Sequence, residues 1–256
     1  MQMGPLEDEI SKLGRKLRLK NQLLSMLLAE AVRKNGPALP VSDEGARFVP
    51  IAYDLKPNAV GTIFSFAGIS QEGSFAEFEF RKTLTDTPYS VVYVKDNEQT
   101  WYQKGLKGLG DTRSDAFTAF GSLGLDLPRP WIFIGNSAGG YAAIFAGWAA
   151  QADRIVAFAP QTMINARIFR HYSGETPHAR GFNLKDPQND LRNVLPSYQP
   201  VPTKIVYPQQ NRRDSNQAEH LYALPGIDMM PLDIRSHHVA AHLRGEGRLL
   251  ETILES

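Results

Sequence analysis

The sequence predicts an α/β protein with a mostly parallel central sheet flanked by helices, a small inserted lid and an N-terminal amphipathic helix. From residue 46 onward, short apolar stretches alternate with helical stretches, a pattern typical of a parallel sheet covered on both faces. One long stretch, 161–202, interrupts that alternation. Before residue 46 the apolar residues have helical spacing instead.

Length and composition agree with one large globular domain. The chain has 256 residues, of which 42% are hydrophobic and 21% are charged. The 28 Lys and Arg residues nearly balance the 27 Asp and Glu residues, so no overall basic excess favours nucleic acid as a partner. The chain contains no cysteine, which excludes disulfides, thiolate metal sites and a cysteine nucleophile.

The N-terminal segment, 6–34, is predicted to be one amphipathic helix. The sequence Asn35-Gly36-Pro37 follows it and favours a helix end. We therefore divide the chain into residues 1–45, helix and connection, and 46–256, the main domain. A helix packed on that domain is favoured over a dimerisation helix or a surface that touches anionic lipid. The sequence leaves the oligomeric state open.

Seven apolar stretches are predicted as strands, with helices between them. The first two strands are joined by the turn Lys56-Pro57-Asn58, and we expect them to be antiparallel neighbours. The predicted strands are 48–53, 60–66, 90–94, 131–134, 154–159, 203–207 and 227–234. The predicted helices lie near 74–84, 112–123, 137–150, 215–224 and 239–250.

The stretch 161–202 contains scattered prolines and aromatic residues and no clear strand. It is too long for a simple connection, so we predict an inserted lid of short helices and loops. A bulky connection without a functional role is the alternative.

The strongest functional signal is Gly135-Asn136-Ser137-Ala138-Gly139, a Gly-x-Ser-x-Gly motif between an apolar strand and a helix rich in Ala and Gly. At such a tight corner the serine hydroxyl projects above the sheet edge. Glycines are needed where strand and helix come close, and the N–H of Ala138 can face a developing oxyanion. We predict Ser137 as a nucleophile, against the alternative of a serine in an ordinary strand–helix turn.

These residues resemble the nucleophile elbow of the α/β-hydrolase superfamily, and the resemblance covers roughly 48–255. It implies a Ser–acid–His triad in that chain order, with the acid and the histidine on later loops. Asp214 follows the strand 203–207 and precedes the predicted helix 215–224, a position that fits the acid. Asp is also a preferred helix N-cap, so the alternative role of Asp214 is to cap that helix.

Two adjacent histidines, His237 and His238, follow the last predicted strand, where a base must take the proton of Ser137. In the hydrolases that this segment resembles, the base is followed by one residue and then a small apolar pair that opens a helix. That pattern favours His237 and leaves His238 as the rival. No histidine has a metal-ligand spacing with another His or a carboxylate, so we expect no metal and no cofactor.

The loop after the strand 60–66 is expected to supply the second oxyanion donor. Many relatives have His-Gly where this chain has Ala67-Gly68, and alignment with that dipeptide makes the N–H of Ile69 the donor. Gly68 keeps the close backbone approach. A further loop carries Trp101 and Tyr102, which we predict as an apolar wall or stacking surface for the substrate. Trp101 as an anchor of this loop to the core is the alternative.

These observations predict a cofactor-independent serine hydrolase that cleaves an ester or thioester of a small molecule, glycan or lipid through an acyl-Ser137 intermediate. Peptidase or amidase activity is less favoured. The alternative from another class is a non-catalytic accessory or scaffold protein of a secretion or surface-glycan system. No apolar run reaches bilayer length and the first residues are acidic, so the default expectation is a cytoplasmic protein.

Overall fold

The computed structural model describes residues 49–70, 77–107, 109–123, 127–173 and 181–255. Seven strands lie in these ranges. They are β1 (Ile51–Asp54), β2 (Thr62–Phe66), β3 (Ser90–Val94), β4 (Trp131–Asn136), β5 (Arg154–Phe158), β6 (Thr203–Pro208) and β7 (Ile227–Leu232). They form one sheet in the order β1-β3-β2-β4-β5-β6-β7, which confirms the predicted α/β class.

The predicted pairing of the first two strands is wrong. β1 pairs with β3 instead, antiparallel, with Ile51 opposite Val94. β2 lies between β3 and β4 and is parallel to both. The remaining neighbours, β4 with β5, β5 with β6 and β6 with β7, are also parallel. A short turn suggests a hairpin locally, but a fully buried strand such as β2 gains more by pairing with two buried neighbours.

Helices and turns connect the strands within the described ranges. The helices are α1 (Arg81–Leu84), α2 (Arg113–Leu123), α3 (Ala138–Ala150), α4 (Ala166–Ser173), α5 (Leu191–Val194), α6 (Arg212–Glu219), α7 (Val239–Gly245) and α8 (Leu249–Leu254). Two 3₁₀ turns, Pro187–Asn189 and Leu195–Ser197, flank α5. The predicted helix 239–250 is thus two helices, and the left-handed Gly247 (φ 75°) lies between them.

Each face of the sheet carries its own apolar core. Because side chains alternate along a strand, Phe64 and Phe66 face one core, while Ile63 faces the other. The rings of Phe64 and Phe133, on paired positions of β2 and β4, stack at 4.4 Å. Burial of each such side chain contributes about 1.5–3 kcal/mol, so this aromatic layer fixes β2 beside β4. The loops that follow these two strands therefore meet at one sheet edge.

The predicted lid is described in part. Between β5 and β6 the described residues form α4, α5 and the two 3₁₀ turns, while residues 174–180 lie outside the described ranges. We call the stretch 161–202 the lid segment after its predicted role, which stays a prediction. The N-terminal helix predicted for 6–34 also lies outside them. In the described residues, no helix combines the length and apolarity needed to cross a membrane.

Candidate active site

Ser137 occupies a strained corner between β4 and α3. Its backbone has φ 58° and ψ −117°, a conformation that non-glycine residues rarely adopt. Hydrogen bonds hold it there: its N–H donates to the carbonyl of Phe158 at 2.9 Å, and its carbonyl accepts from the N–H groups of Tyr141 and Gln161 at 3.2 Å. The Ser137 side chain therefore projects from the sheet edge at the start of α3.

The two motif glycines are required by the close approach of strand and helix. A Cβ at Gly135 would lie 2.1 Å from the carbonyl oxygen of Gly139. A Cβ at Gly139 would lie 2.2 Å from the carbonyl oxygen of Phe66. Both contacts are with backbone, which cannot move aside, so a larger residue at either position would displace the corner that carries Ser137.

A chain of hydrogen bonds joins Ser137, His237 and Asp214. Nε2 of His237 lies 3.0 Å from Oγ of Ser137, and Nδ1 of His237 lies 3.0 Å from Oδ2 of Asp214. A carboxylate only accepts hydrogen bonds, so the imidazole carries its proton on Nδ1 and offers Nε2 as the acceptor to the serine hydroxyl. The structure thus brings together the three residues predicted as nucleophile, base and acid.

The structure gives different positions to the alternatives that the sequence left open. Asp214 lies inside the first turn of α6, and the residue that caps this helix is Asn211, whose side chain accepts from the N–H of Arg213 at 3.1 Å. Asp214 is 3% exposed and its carboxylate is directed to His237. His238 is exposed and stands at the start of α7, with its ring centre 6.1 Å from that of His237.

Gln161, which the sequence analysis did not select, fixes the direction of the serine hydroxyl. Its Oε1 accepts a hydrogen bond from the indole Nε1 of Trp101, and its Nε2 donates to Oγ of Ser137 at 2.9 Å. The indole N–H can only donate, so the amide must present its NH₂ group to Ser137. With a donor on that side, the proton of Ser137 points to Nε2 of His237, the acceptor that the described residues place 3.0 Å from Oγ.

Trp101 and Tyr102 are not placed as the predicted wall or stacking surface. Both side chains are 0% exposed and belong to the apolar core, which supports the alternative in which Trp101 anchors its loop. The buried carboxylate of Asp96 shapes this loop by accepting from the N–H groups of Thr100 at 2.6 Å and Tyr102 at 2.7 Å. Burial raises the pKa of Asp96, and these backbone hydrogen bonds oppose the rise.

The loop that holds Gly68 and Ile69 lies against the serine corner. A Cβ at Gly68 would be 3.0 Å from the carbonyl oxygen of Asn136 and 3.6 Å from Cβ of Ser137. The helix start leaves the N–H of Ala138 without an intrahelical partner. No hydrogen bond from the N–H of Ile69 occurs among the described residues. The role of these two N–H groups as oxyanion donors stays a prediction.

A half-buried carboxyl that the sequence analysis missed, Glu79, supports this loop. Its Oε1 accepts a hydrogen bond from the N–H of Gly68 at 2.9 Å. Burial raises the pKa of Glu79 to about 7, while that hydrogen bond and the charge of His237 oppose the rise. Glu79 is therefore an ionisable group that touches the proposed oxyanion loop and acts electrostatically on His237.

Arg113 connects the lid segment to the body of the domain. Its side chain is 1% exposed and donates to the carbonyl of Trp101 at 3.0 Å, to the hydroxyl of Tyr141 at 2.8 Å and to Oδ1 of Asn189 at 3.2 Å. Asp186 lies 3.9 Å from the same guanidinium. The lid segment, the Trp101 loop and α3 are therefore tied together at one buried cation.

No metal centre is found in this region. Across the ranges that the structure describes, no three His, Asp or Glu side chains are grouped so that they could hold a metal ion. The arrangement instead combines a hydroxyl, an imidazole, a carboxylate and free backbone N–H groups, which are the components of nucleophilic acyl transfer.

Neither the family models nor the curated proteins include a match to this sequence. Solved structures do match its fold. The capsule O-acetyltransferase of Neisseria meningitidis serogroup A aligns with a TM-score of 0.56 and 16% identity over 78% of this chain and 91% of that one. MPT51 of Mycobacterium tuberculosis aligns with a TM-score of 0.55 and 10% identity over 80% of this chain and 93% of that one. Acetyl xylan esterase 1 of Thermoanaerobacterium aligns with a TM-score of 0.51 and 12% identity over 79% of this chain and 77% of that one. The chain has the α/β-hydrolase fold.

Proposed function

We propose that this α/β-hydrolase-fold protein is a serine-dependent enzyme that cleaves a carboxylic ester or thioester. The observation that carries the proposal is the hydrogen-bond chain from Asp214 through His237 to Ser137, with 3.0 Å at each side of the imidazole. This order of acceptor, imidazole and hydroxyl is what a Ser–His–Asp triad requires. The likeness in fold to an esterase and an O-acetyltransferase supports an ester as the substrate.

In the proposed first half-reaction, Oγ of Ser137 attacks the substrate carbonyl while its proton moves to Nε2 of His237. Asp214 stabilises the resulting imidazolium through the hydrogen bond to Nδ1. The N–H groups of Ala138 and Ile69 receive the oxyanion of the tetrahedral intermediate. As the intermediate collapses, His237 returns the proton to the leaving oxygen or sulfur, and the acyl group stays on Ser137.

In the second half-reaction His237 takes a proton from water as its oxygen attacks the acyl carbon. The bond between this carbon and Oγ of Ser137 then breaks, His237 returns the proton to Oγ, and the carboxylic acid leaves. An alcohol in place of that water would give acyl transfer with the same residues. In enzymes that act through such an oxyanion site, each donor raises kcat by about 10²–10³-fold. The start of α3 adds the positive end of its dipole to the same position.

The proposed substrate is an acyl ester of a small molecule, a glycan or a lipid. A fluorophosphonate probe followed by peptide mass spectrometry tests for a reactive serine, with Ser137→Ala as the matched control. A chain-length series of nitrophenyl esters then gives the acyl preference: acetyl preference favours deacetylation, and long-chain preference favours a lipid role. A folded protein that neither labels nor turns over any ester would favour the non-catalytic scaffold role instead.

A further inference from the structure

A cationic cluster lies beside the proposed triad, where α4 of the lid segment meets α6. Nη1 of Arg213 donates to Nε2 of His171, so the first turn of α6 contacts the last turn of α4. Arg213 directly precedes Asp214, which binds His237. In the sequence, the arginine of this cluster is therefore adjacent to the proposed acid of the triad.

Among the described residues, the charge of Arg213 has no carboxylate partner. Its side chain is half-buried, and its Nε is buried without a hydrogen-bond acceptor. Across the described ranges no carboxylate oxygen lies within 4.0 Å of its guanidinium. The adjacent carboxylate, Asp214, is directed to His237. A buried guanidinium N–H without an acceptor costs free energy, because its hydration has been lost and not replaced.

A second arginine, Arg167, lies one helical turn before His171 on the same face of α4. Arg167 is exposed on α4, and its charge acts on His171 together with the charges of Arg213 and His237. Burial lowers the pKa of His171, the charges of Arg213 and Arg167 lower it further, and among the described residues Asp214 acts in the opposite direction. Like charges held together repel one another, and an anion placed between them relieves that repulsion.

We infer that Arg213, with Arg167 and His171 beside it, binds an anionic oxygen group of the substrate, a phosphate or a carboxylate. This inference rests on the proposed function, because it takes the substrate to react at Ser137. The guanidinium of Arg213 can donate to oxygens of such a group, and the negative charge of that group would offset the repulsion between the neighbouring arginines. The substrate class narrows accordingly to esters or thioesters that carry a negative charge near the reacting carbonyl.

The anion has two possible sources, the leaving group or the acyl group, and two pairs of substrates distinguish them. The first pair is 4-acetoxybenzoate and its neutral methyl ester, with the charge in the leaving group. The second pair is 4-nitrophenyl hydrogen adipate and 4-nitrophenyl methyl adipate, with the charge in the acyl group. The measured quantity is the ratio of kcat/KM for the anionic and the neutral member of each pair.

In the wild-type protein we expect one pair to show a ratio of about 10 or more in favour of the anion, as charge-assisted hydrogen bonds would give. Arg213→Gln should bring that ratio close to one, and Arg213→Lys should give an intermediate ratio because the charge stays while the fork is lost. Arg212→Gln is the matched control, an exposed arginine one position earlier on α6, and should keep the wild-type ratio. Melting temperatures and circular dichroism establish that each variant is folded.

Hydrolysis of the neutral esters with ratios near one in both pairs would overturn the subsite and leave the proposed function standing. If no ester is turned over and no probe labels Ser137, the proposed function fails. Binding of inorganic phosphate then tests whether the anion subsite exists. This binding is measured as a shift in melting temperature at constant ionic strength. A shift that is present in the wild type and in Arg212→Gln but absent in Arg213→Gln supports the subsite. Equal shifts in the wild type and both variants overturn the subsite.

Discussion

Gln161 donates a hydrogen bond to Oγ of Ser137 across 2.9 Å, and its amide is held in that orientation from behind by the indole of Trp101. Trp101 is fully buried, so the direction of the serine proton is set by a residue of the core. This relationship explains how a loop that does not line an exposed wall can still affect the proposed reaction.

Gln161→Glu should reduce kcat by about tenfold or more while the protein stays folded. The glutamate keeps the size of the side chain and the acceptor for Trp101, but its second oxygen accepts the proton of Ser137 and draws the hydroxyl away from His237. Loss of one well-placed hydrogen bond is worth about 1 kcal/mol, and the reversed polarity adds to it. Steady-state hydrolysis of a nitrophenyl ester measures the change. Unaltered kcat in this variant would show that the amide does not direct the hydroxyl.

The two adjacent histidines should differ sharply in their contribution. His237→Gln should lower kcat by about 10³-fold or more, because the acceptor of the Ser137 proton is lost. His238→Gln should stay within about threefold of wild type, since its side chain is exposed and bonds to neither Ser137 nor Asp214. Parallel assays of the two variants with one ester make the comparison. Equal losses, or a larger loss at residue 238, would reverse the assignment of the base.

Glu79 should make the stability of the wild-type protein depend on pH between about 4.5 and 7. Burial raises its pKa from 4.5 in the unfolded chain to about 7 in the folded protein. The folded state therefore holds the proton more tightly, and this contribution to stability is complete below pH 4.5 and is lost as the pH rises through 7.

Glu79→Gln removes the titration but keeps an acceptor for the N–H of Gly68. The melting temperature of this variant should therefore rise relative to wild type as the pH increases from 5 to 8. Thermal unfolding in buffers of matched ionic strength measures the difference. Melting curves that shift in parallel for both proteins across this range would contradict the raised pKa.

Arg113→Met should destabilise the protein by about 3–5 kcal/mol. The substitution fills a similar volume but leaves the hydroxyl of Tyr141 and Oδ1 of Asn189 without their shared donor, and the carboxylate of Asp186 without its nearby cation. Urea unfolding monitored by tryptophan fluorescence gives the free energy. Arg129→Met is a suitable control, because this arginine is exposed and its pair with Asp153 is at the surface. Similar losses in the two variants would show that the buried cation does not hold the lid segment.

The sequence was most informative where local pattern and chemistry agree. The strand Ser90–Val94 was predicted with its observed bounds, and the corner at Ser137 was predicted from its flanking glycines and apolar strand. Asp214 and His237 followed from the expected chain order, and the structure places both in contact with each other. Their catalytic roles stay predictions for the experiments above.

The errors concern features that depend on distant parts of the chain. The turn at Lys56 gives no sign that β3 lies between β1 and β2 and pairs with both. Two aromatics in a glycine-containing loop look like a surface feature, whereas the buried carboxylate of Asp96 folds that loop inward. Gln161 and Glu79 have no motif around them. Only the folded chain shows that one reaches Ser137 and the other reaches Gly68.

The account depends most directly on a nucleophilic hydroxyl at position 137. The decisive measurement is the stoichiometry and site of fluorophosphonate labelling, determined by intact and peptide mass spectrometry on the wild-type protein and on Ser137→Ala. We expect one adduct per chain, located on Ser137, that is absent in Ser137→Ala and strongly slowed in His237→Gln. A folded protein that stays unmodified, or one that is labelled equally well after Ser137→Ala, would contradict the account.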